Sequence, residues 1–411
     1  EPLWGLCRLL GYAGELGEAM RVAQAAIALA TQSGDVWIGM LVRISLGASL
    51  AQAGEFDSAS NELALAETMA LQVGDDFALM ACWVWQAYLA GLQGYKNSCR
   101  LFLEQALAVI KDKSYEFFLV KPSLLGPNDT VCFVPLLIEA RDAAIEAGFV
   151  EGLLKEQGFD KINYHPGYRL RLSLLGPFEC FLGEQRISNE AWKREKARHL
   201  LQILAVSYPK PLSKGQILTM LWPNSASTAA SNALKVVVSA LNNALEPNRP
   251  SGEQAFFVLR DGDHYALNPL AGNILDHVQF ENLASSDDIE DLNSALTLYK
   301  GKLLEGEVSQ DALIIEMQYF HRLFLDCAGK VLEDLFSKGD FHRTILIANQ
   351  VIQKDPLFER AYLYQMKAYY ALGNISMVRK VYADATEFLS AQLGDAYHAD
   401  QLKTFLLRHL R

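Results

Sequence analysis

The sequence predicts a mainly α-helical chain in three parts: a helical solenoid, a small α+β domain and a second helical domain. Three observations predict this order: a regular glycine repeat in the first third, a stretch of alternating apolar and polar residues that begins near Tyr168, and a shorter repeat in the last third. The 411 residues allow two to four domains, since one domain takes roughly 100–200 residues. We expect the parts to cover residues 1–165, 168–268 and 269–411.

Glycine spacing defines the first part. Gly14, Gly54 and Gly94 recur at a period of about 40 residues, and Gly34 and Gly74 repeat this interval between them. A glycine just past the end of a helix adopts the left-handed conformation that terminates it. Each period therefore predicts two helices and two turns, the pattern of a tetratricopeptide-like helical solenoid. Helical solenoids usually bind partners, so we expect an unknown protein or ligand effector at these repeats.

The last part repeats at a different interval. Gly339 and Gly373 open equivalent turns about 34 residues apart, which is the tetratricopeptide period. Pro356 in the stretch KDPLFERAY predicts the start of a helix. An apolar stripe at helical spacing follows, which favours helix packing over a ligand cage: Tyr362, Met366 and Tyr369. We predict a tetratricopeptide-like all-α domain here.

The middle part mixes strands and helices. The stretch YRLRLSLLGPFECFLGEQRIS predicts a small antiparallel sheet, and EAWKREKARHLLQILAV predicts a helix with basic residues in its first turns. A capping box of Ser213 and Gln216 begins a second helix, the stretch PNSAS is a loop, and Ser231–Leu245 is a third helix. Asp261-Gly262-Asp263 marks a hairpin turn. Strands, three helices and a terminal hairpin in about 100 residues predict a winged helix.

Charge is distributed unevenly along the chain. The net charge is −11, but residues 1–167 carry −9, residues 168–268 carry +4 and residues 269–411 carry −6. Only the middle part is therefore suited to a polyanion such as DNA. The acidic outer parts are better suited to protein partners.

The third helix has one apolar face and one polar face. Leu234, Val237, Val238, Leu241 and Leu245 fall together and predict the buried side. The opposite side suits DNA base edges, because Asn pairs with adenine, Lys reaches guanine and Val contacts a thymine methyl group. The predicted base-reading residues are Asn232, Lys235, Val236, Ser239, Asn242 and Asn243. The predicted phosphate contacts are Lys193, Arg194, Lys196, Arg198, Lys210, Lys214, Arg260 and His264.

The segments from LSLLGPF through KARHLLQILA, LTMLWPN and LNNALEP to LRDGDHYALN resemble the winged-helix domain of antibiotic-regulatory-protein (SARP) type activators. The stretch from LNSALTLYKGKLLEG to LSAQLGD resembles the bacterial transcriptional activator domain that follows such winged helices. The first third looks like the helical repeats of large STAND-type regulators, including those related to the maltose-regulon activator. The resemblance implies a transcription regulator in the cytoplasm that binds double-stranded promoter DNA and contacts RNA polymerase or a second protomer.

Three features depart from this resemblance. The chain has no G-x-x-x-x-G-K-[ST] motif, so an ATPase module of the STAND type, if one exists, is expected upstream of Glu1. Asn242 and Asn243 stand where many family members carry Arg, which weakens the expected grip on DNA. The stretch EVSQDALIIEMQYF lacks the tryptophan that is usual there.

Two alternatives remain beside DNA binding. The modest charge of the middle part and the single lysine of the third helix also fit a protein-interaction scaffold whose winged helix has lost DNA binding. An enzyme is disfavoured, because the chain has no H-E-x-x-H or G-x-S-x-G motif and its eight histidines are dispersed. We expect no cofactor and no metal site in this chain. The six scattered cysteines predict free buried thiols, and no uninterrupted apolar run reaches the roughly 18 residues of a membrane span.

Overall fold

A computed structural model describes residues 2–223, 227–307, 313–394 and 399–409. Helices make up most of the described chain, and a few short strands form two small sheets near its middle. The fold is therefore mainly α with one α+β region, as the sequence predicts.

The first part is a stack of antiparallel helices. Its helices are α1 Pro2–Tyr12, α2 Leu16–Ser33, α3 Val36–Ala53, α4 Phe56–Val73, α5 Asp76–Leu92, α6 Lys96–Lys113, α7 Phe117–Val120, α8 Val134–Asp142 and α9 Ala147–Glu156. All five repeat glycines lie in the turns with φ between 70° and 85°. The left-handed conformation explains why glycine recurs there, since a Cβ would strain it. The predicted helical hairpins are confirmed.

Helix α3 occupies the centre of this stack. Its residues from Gly39 to Ala51 are buried almost without interruption, because α1, α2, α4 and α5 surround it. Over Val36–Ala53 its mean hydropathy of 1.4 reaches that of a membrane span, although 67% of the segment is buried inside the protein. Arg43 and three other polar residues divide this helix, so it contains no uninterrupted apolar run of that length. Burial within the stack accounts for its apolar composition.

The middle part has the predicted sequence of strands, helices and hairpin. Its helices are α10 Glu195–Ser207, α11 Lys214–Leu221 and α12 Ser227–Leu245. Its strands are β1 Leu170–Ser173, β2 Glu179–Leu182, β3 Gln185–Arg186, β4 Leu212–Ser213, β5 Val258–Asp261, β6 His264–Leu267 and β7 Ile274–Leu275. The strand orders are β3-β2-β1-β7 and β4-β6-β5.

Three details of this part differ from the prediction. The first sheet is mixed rather than antiparallel, because β7 pairs in parallel with β1. Helix α10 begins at Glu195, so Lys193 and Arg194 precede it instead of lying in its first turns. Helix α12 begins at Ser227, before the predicted Ser231. Residues 224–226 of the predicted PNSAS loop lie outside the described residues.

The last part is again helical. Its helices are α13 Asp276–Ala284, α14 Ile289–Leu298, α15 Ile314–Ser337, α16 Phe341–Lys354, α17 Glu359–Ala371, α18 Ile375–Leu393 and α19 Asp400–His409. Gly339 and Gly373 form the turns before α16 and α18, each with positive φ. The predicted stripe of Tyr362, Met366 and Tyr369 packs between helices, as expected of core residues. Residues 308–312 of the stretch without tryptophan lie outside the described residues.

Two junctions join the middle part to its neighbours. Towards the last part, the carboxylate of Asp276 accepts hydrogen bonds from the backbone N–H groups of Leu174 (2.8 Å) and Leu175 (3.0 Å). Towards the first part, Arg169 forms a salt bridge of 2.8 Å with Asp129. All six cysteines are free and buried, which confirms the prediction made from their spacing.

Candidate nucleic-acid interface

Helix α12 packs through its predicted apolar face. Leu234, Val237, Leu241 and Leu245 are at most 4% exposed, and Val238 is half-buried at the edge of the face. They pack towards α10 and α11. Burial of four such side chains contributes about 1.5–3 kcal/mol each, which fixes the orientation of the opposite face.

That opposite face is polar and open to solvent. Asn232, Lys235, Val236, Ser239 and Asn243 are all exposed, and Val236 retains 47% of its surface. They therefore lie on one accessible surface, as the sequence predicts. This surface offers amide, ammonium and hydroxyl groups beside one apolar side chain, a set that suits the edges of base pairs.

Asn242 differs from the other five predicted base-reading residues. It is half-buried, and its side-chain oxygen Oδ1 is shielded from solvent without a hydrogen-bond partner among the described residues. The side chain lies at the boundary between the two faces of α12. We therefore expect it to contribute less to contacts with an external ligand than Asn243.

The hairpin of β5 and β6 forms a wing beside these helices. Arg260 pairs across the strands with Tyr265, and Asp261 pairs with His264 around a two-residue turn. Strand β4 adds a third strand to this sheet, and the backbone N–H of Lys214 donates a hydrogen bond of 2.7 Å to the carbonyl of Asp263. The wing is thereby fixed to the start of α11.

The wing also connects to the end of α12. Glu246 directly follows α12 and is 2% exposed. Its Oε1 accepts hydrogen bonds from the backbone N–H groups of Phe256 (2.8 Å) and Phe257 (3.0 Å). Burial raises the pKa of this carboxyl group, while these bonds and Arg249 act in the opposite direction. Helical periodicity does not predict this positioning residue, which lies in the LEP stretch at the end of the helix.

Five of the predicted phosphate-contacting residues are exposed: Lys193, Arg194, Lys210, Arg260 and His264. Lys214, at the first position of α11, is half-buried. Exposed cations retain their hydration in the free protein and can approach phosphates at low cost. The wing tip also carries two exposed carboxylates, Asp261 and Asp263, which lower its attraction for an anion.

Lys196 and Arg198 are half-buried and form contacts within the protein. Lys196 donates a hydrogen bond of 2.5 Å to the carbonyl of Leu221, and its ammonium group lies 4.9 Å from the Trp222 ring. Arg198 forms a salt bridge with Glu307, with 23% of its own side chain and 10% of that of Glu307 exposed. Both side chains form internal contacts, so they are weaker candidates for phosphate contacts than the exposed cations.

Comparisons with known proteins identify one domain of the chain. Residues 279–400 match the bacterial transcriptional activator domain. This match confirms the resemblance to SARP-type activators that the sequence predicts for the last part of the chain.

Among the solved structures with similarity to part of the chain is Mycobacterium tuberculosis EmbR in complex with a low affinity phosphopeptide, with 19% sequence identity and a TM-score of 0.47. The similarity covers 59% of this chain and 65% of that chain, which is less than two thirds of its length. No curated protein matches the sequence.

Proposed function

We propose that the chain regulates transcription by binding double-stranded promoter DNA, with the exposed face of α12 in the major groove and the wing on the backbone. The observation that carries this proposal is the placement of Asn232, Lys235, Ser239 and Asn243 on one open face of α12. Glu246 at the end of this helix is hydrogen-bonded to the start of the wing. In winged helices the third helix reads bases in this position. The activator domain at residues 279–400 supports the same role.

Five cations remain available for phosphates: Lys193, Arg194, Lys210, Lys214 and Arg260. Each phosphate contact contributes about 0.9 to the slope of log affinity against log salt concentration. Five contacts therefore predict a slope of about −4 to −5. Binding of this kind is moderate for one protomer, so we propose that several protomers bind together on direct repeats.

The activator domain would contact RNA polymerase or a second protomer. It presents a groove of about 680 Å³ between α15, α17 and α19, with Phe336, Tyr370 and Phe405 among its apolar residues and Lys367 and Arg408 at its rim. We propose that the N-terminal helical stack receives the signal, from a protein or ligand effector. Such a regulator would act on DNA in the cytoplasm.

The experiment is a salt titration of DNA binding by the full chain, followed by fluorescence anisotropy. The full chain is needed because β7 and Asp276 hold the first sheet of the winged helix and lie beyond residue 268. Duplexes of random and promoter sequence separate affinity from specificity. Failure to bind any duplex at low salt would refute the proposal.

A second candidate is a protein-interaction scaffold whose winged helix has lost DNA binding. It is favoured by the internal contacts of Lys196 and Arg198 and by the carboxylates at the wing tip. Both lower the positive potential of the candidate interface. The same titration distinguishes the two functions, because a scaffold would show no salt-dependent binding.

A further inference from the structure

The irregular segment 121–129, here called the strap, crosses the N-terminal helical stack between α7 and α8. Lys121, Pro122, Leu124 and Asn128 point to solvent, whereas Leu125, Gly126 and Pro127 are buried. The strap has no regular secondary structure of its own. Its buried backbone carbonyls must therefore find partners on the helices beneath it.

Three side chains of the stack bind those carbonyls. Tyr12 Oη lies 2.7 Å from the carbonyl oxygen of Ser123 and 2.8 Å from that of Gly126, so its single proton is donated to one of them or shared between the two. Trp85 Nε1 donates to the carbonyl of Leu125 at 2.8 Å. Arg8 donates to the carbonyl of Gly126 through Nη2 at 2.8 Å and through Nε at 3.3 Å. The strap bends between Ser123 and Gly126, where the Gly126 N–H donates a hydrogen bond of 3.0 Å to the Ser123 carbonyl. Three carbonyls of this bent segment are thus bound by side chains, as those of a short peptide ligand would be.

Arg8 is the one cation of this set, and like Trp85 it is 0% exposed. Its other hydrogen bonds go to Ser49 Oγ (3.0 Å) and Gln52 Oε1 (2.9 Å), both neutral acceptors. Its guanidinium also lies over the Tyr12 and Trp85 rings. Within the described residues no carboxylate forms a salt bridge with it. Burial lowers its pKa, as expected of a cation removed from water.

A carboxylate would add Coulomb attraction to the buried guanidinium and could bind it through two parallel hydrogen bonds, which the neutral Gly126 carbonyl does not offer. The position of the Gly126 carbonyl is therefore suited to the carboxylate at the end of a short peptide. One turn before Ser49 on α3, the buried hydroxyl of Ser45 has no hydrogen-bond partner, which leaves a further polar group unsatisfied in this helix.

The strap also reaches the winged helix. Its last residue, Asp129, bonds Arg169, which directly precedes β1. The side chain of Arg169 also packs closely against Gly272, between the wing and β7. Release of the strap would remove the carboxylate that holds Arg169 and loosen this connection between the stack and the winged helix.

We propose that the cleft of Arg8, Tyr12 and Trp85 is a binding site for a short peptide that bends as the strap does and ends in a carboxylate, and that the strap is its displaceable internal ligand. The site gives a location and a ligand class to the effector role proposed above for the N-terminal stack. Its test uses no DNA, so a negative result differs from a failure of DNA binding.

The probe is the peptide KPSLLG, the sequence of residues 121–126, with a fluorophore at its N-terminus and a free C-terminal carboxylate. The matched control peptide ends in a carboxamide, which keeps the carbonyl oxygen and removes the charge. Both are titrated into the full chain by anisotropy. Because the strap competes at an effective concentration in the millimolar range, the titration is repeated with Leu125→Ala, which weakens the strap.

Leu124→Ala is the control variant, since Leu124 is 43% exposed and its neighbour Leu125 is 6% exposed. We expect the acid peptide to bind Leu125→Ala at least about tenfold more tightly than Leu124→Ala, and the amide peptide to bind at least about tenfold more weakly than the acid. Equal binding of both peptides, or no difference between the variants, would overturn the proposal.

If Leu125→Ala fails to fold, hydrogen exchange of the parent chain replaces it. The acid peptide at millimolar concentration should then accelerate exchange in residues 121–129, while α3 stays protected. Unchanged exchange of the strap at saturating peptide would equally overturn the proposal.

Discussion

Glu246, the residue after α12, accepts a hydrogen bond of 3.0 Å from the backbone N–H of Phe257, which precedes the first strand of the wing. The same Oε1 accepts a second bond from Phe256. One buried carboxylate therefore sets the position of the wing relative to the helix proposed to read bases. Removal of this group would leave two buried N–H groups without an acceptor.

Glu246→Ala should lower the free energy of unfolding of the winged helix by about 2–4 kcal/mol, since an unsatisfied buried donor costs about 1–3 kcal/mol. Hydrogen exchange of Phe256 and Phe257 should accelerate first, before that of α10. Glu253→Ala is the control, because Glu253 is exposed in the same connection. Equal effects of the two substitutions would contradict the positioning role of Glu246.

Lys193→Ala and Arg260→Ala should each reduce the salt slope of DNA binding by about 0.9, as the loss of one phosphate contact does. Both side chains are exposed, so protein stability should change little. Lys235→Ala should instead change the preference between promoter and random duplexes, because Lys235 lies on the base-facing side of α12. Unchanged slopes for both the Lys193 and the Arg260 variants would exclude these residues from the interface.

Arg198→Ala should behave differently from those variants. Arg198 and Gln202 both bond the carboxylate of Glu307, which is 10% exposed. The substitution should cost about 1.5–3 kcal/mol, the usual contribution of a hydrogen bond to a charged group, without altering the salt slope of DNA binding. Thermal unfolding and the salt titration measure the two effects separately. A reduced slope at full stability would restore Arg198 to the phosphate contacts.

The different environments of Arg198 and Lys193 show which features of the site can be predicted from the sequence and which cannot. Helical periodicity correctly predicted the buried face of α12 and, from it, the exposed face. Periodicity does not predict the salt bridge between Arg198 and Glu307, because the two residues are 109 positions apart in the sequence. The contacts of the strap could not be predicted for the same reason, because hydrogen bonds from side chains to distant carbonyls produce no repeating pattern in the sequence. Long-range polar contacts of this kind require the structure.

His165 should make stability depend on pH. It is 3% exposed, its ring lies between Phe159 and Phe256, and its Nδ1 accepts a hydrogen bond from the Gly167 N–H. Burial lowers its pKa from 6.5 to about 3. Between these values the unfolded chain binds one more proton than the folded chain, so stability falls as pH falls.

His165→Asn keeps an acceptor for Gly167 and removes this titration. Below pH 6.5 the free energy of unfolding of the parent should fall by about 1.4 kcal/mol more per pH unit than that of the variant. Melting temperatures of both proteins at pH 7 and pH 5 measure this difference. His277, whose pKa burial lowers to about 4, stays in both proteins and contributes equally. Equal pH dependences of the parent and the variant would contradict this prediction, because they would show that His165 is protonated as readily in the folded chain as in the unfolded chain.

The six cysteine thiols should be unreactive in the native protein. All six are buried, and burial raises the pKa of Cys7, Cys99 and Cys327 to about 11 and that of the other three further. Because the thiolate is the reactive form, a disulfide reagent at pH 8 should label none of them within the time that it labels all six in denaturant. Peptide mapping identifies each labelled position. Cys132 follows closely after the strap, and in the closed fold its thiol is both protonated and inaccessible. Rapid labelling of Cys132 in the native protein would therefore show that the strap opens without any ligand.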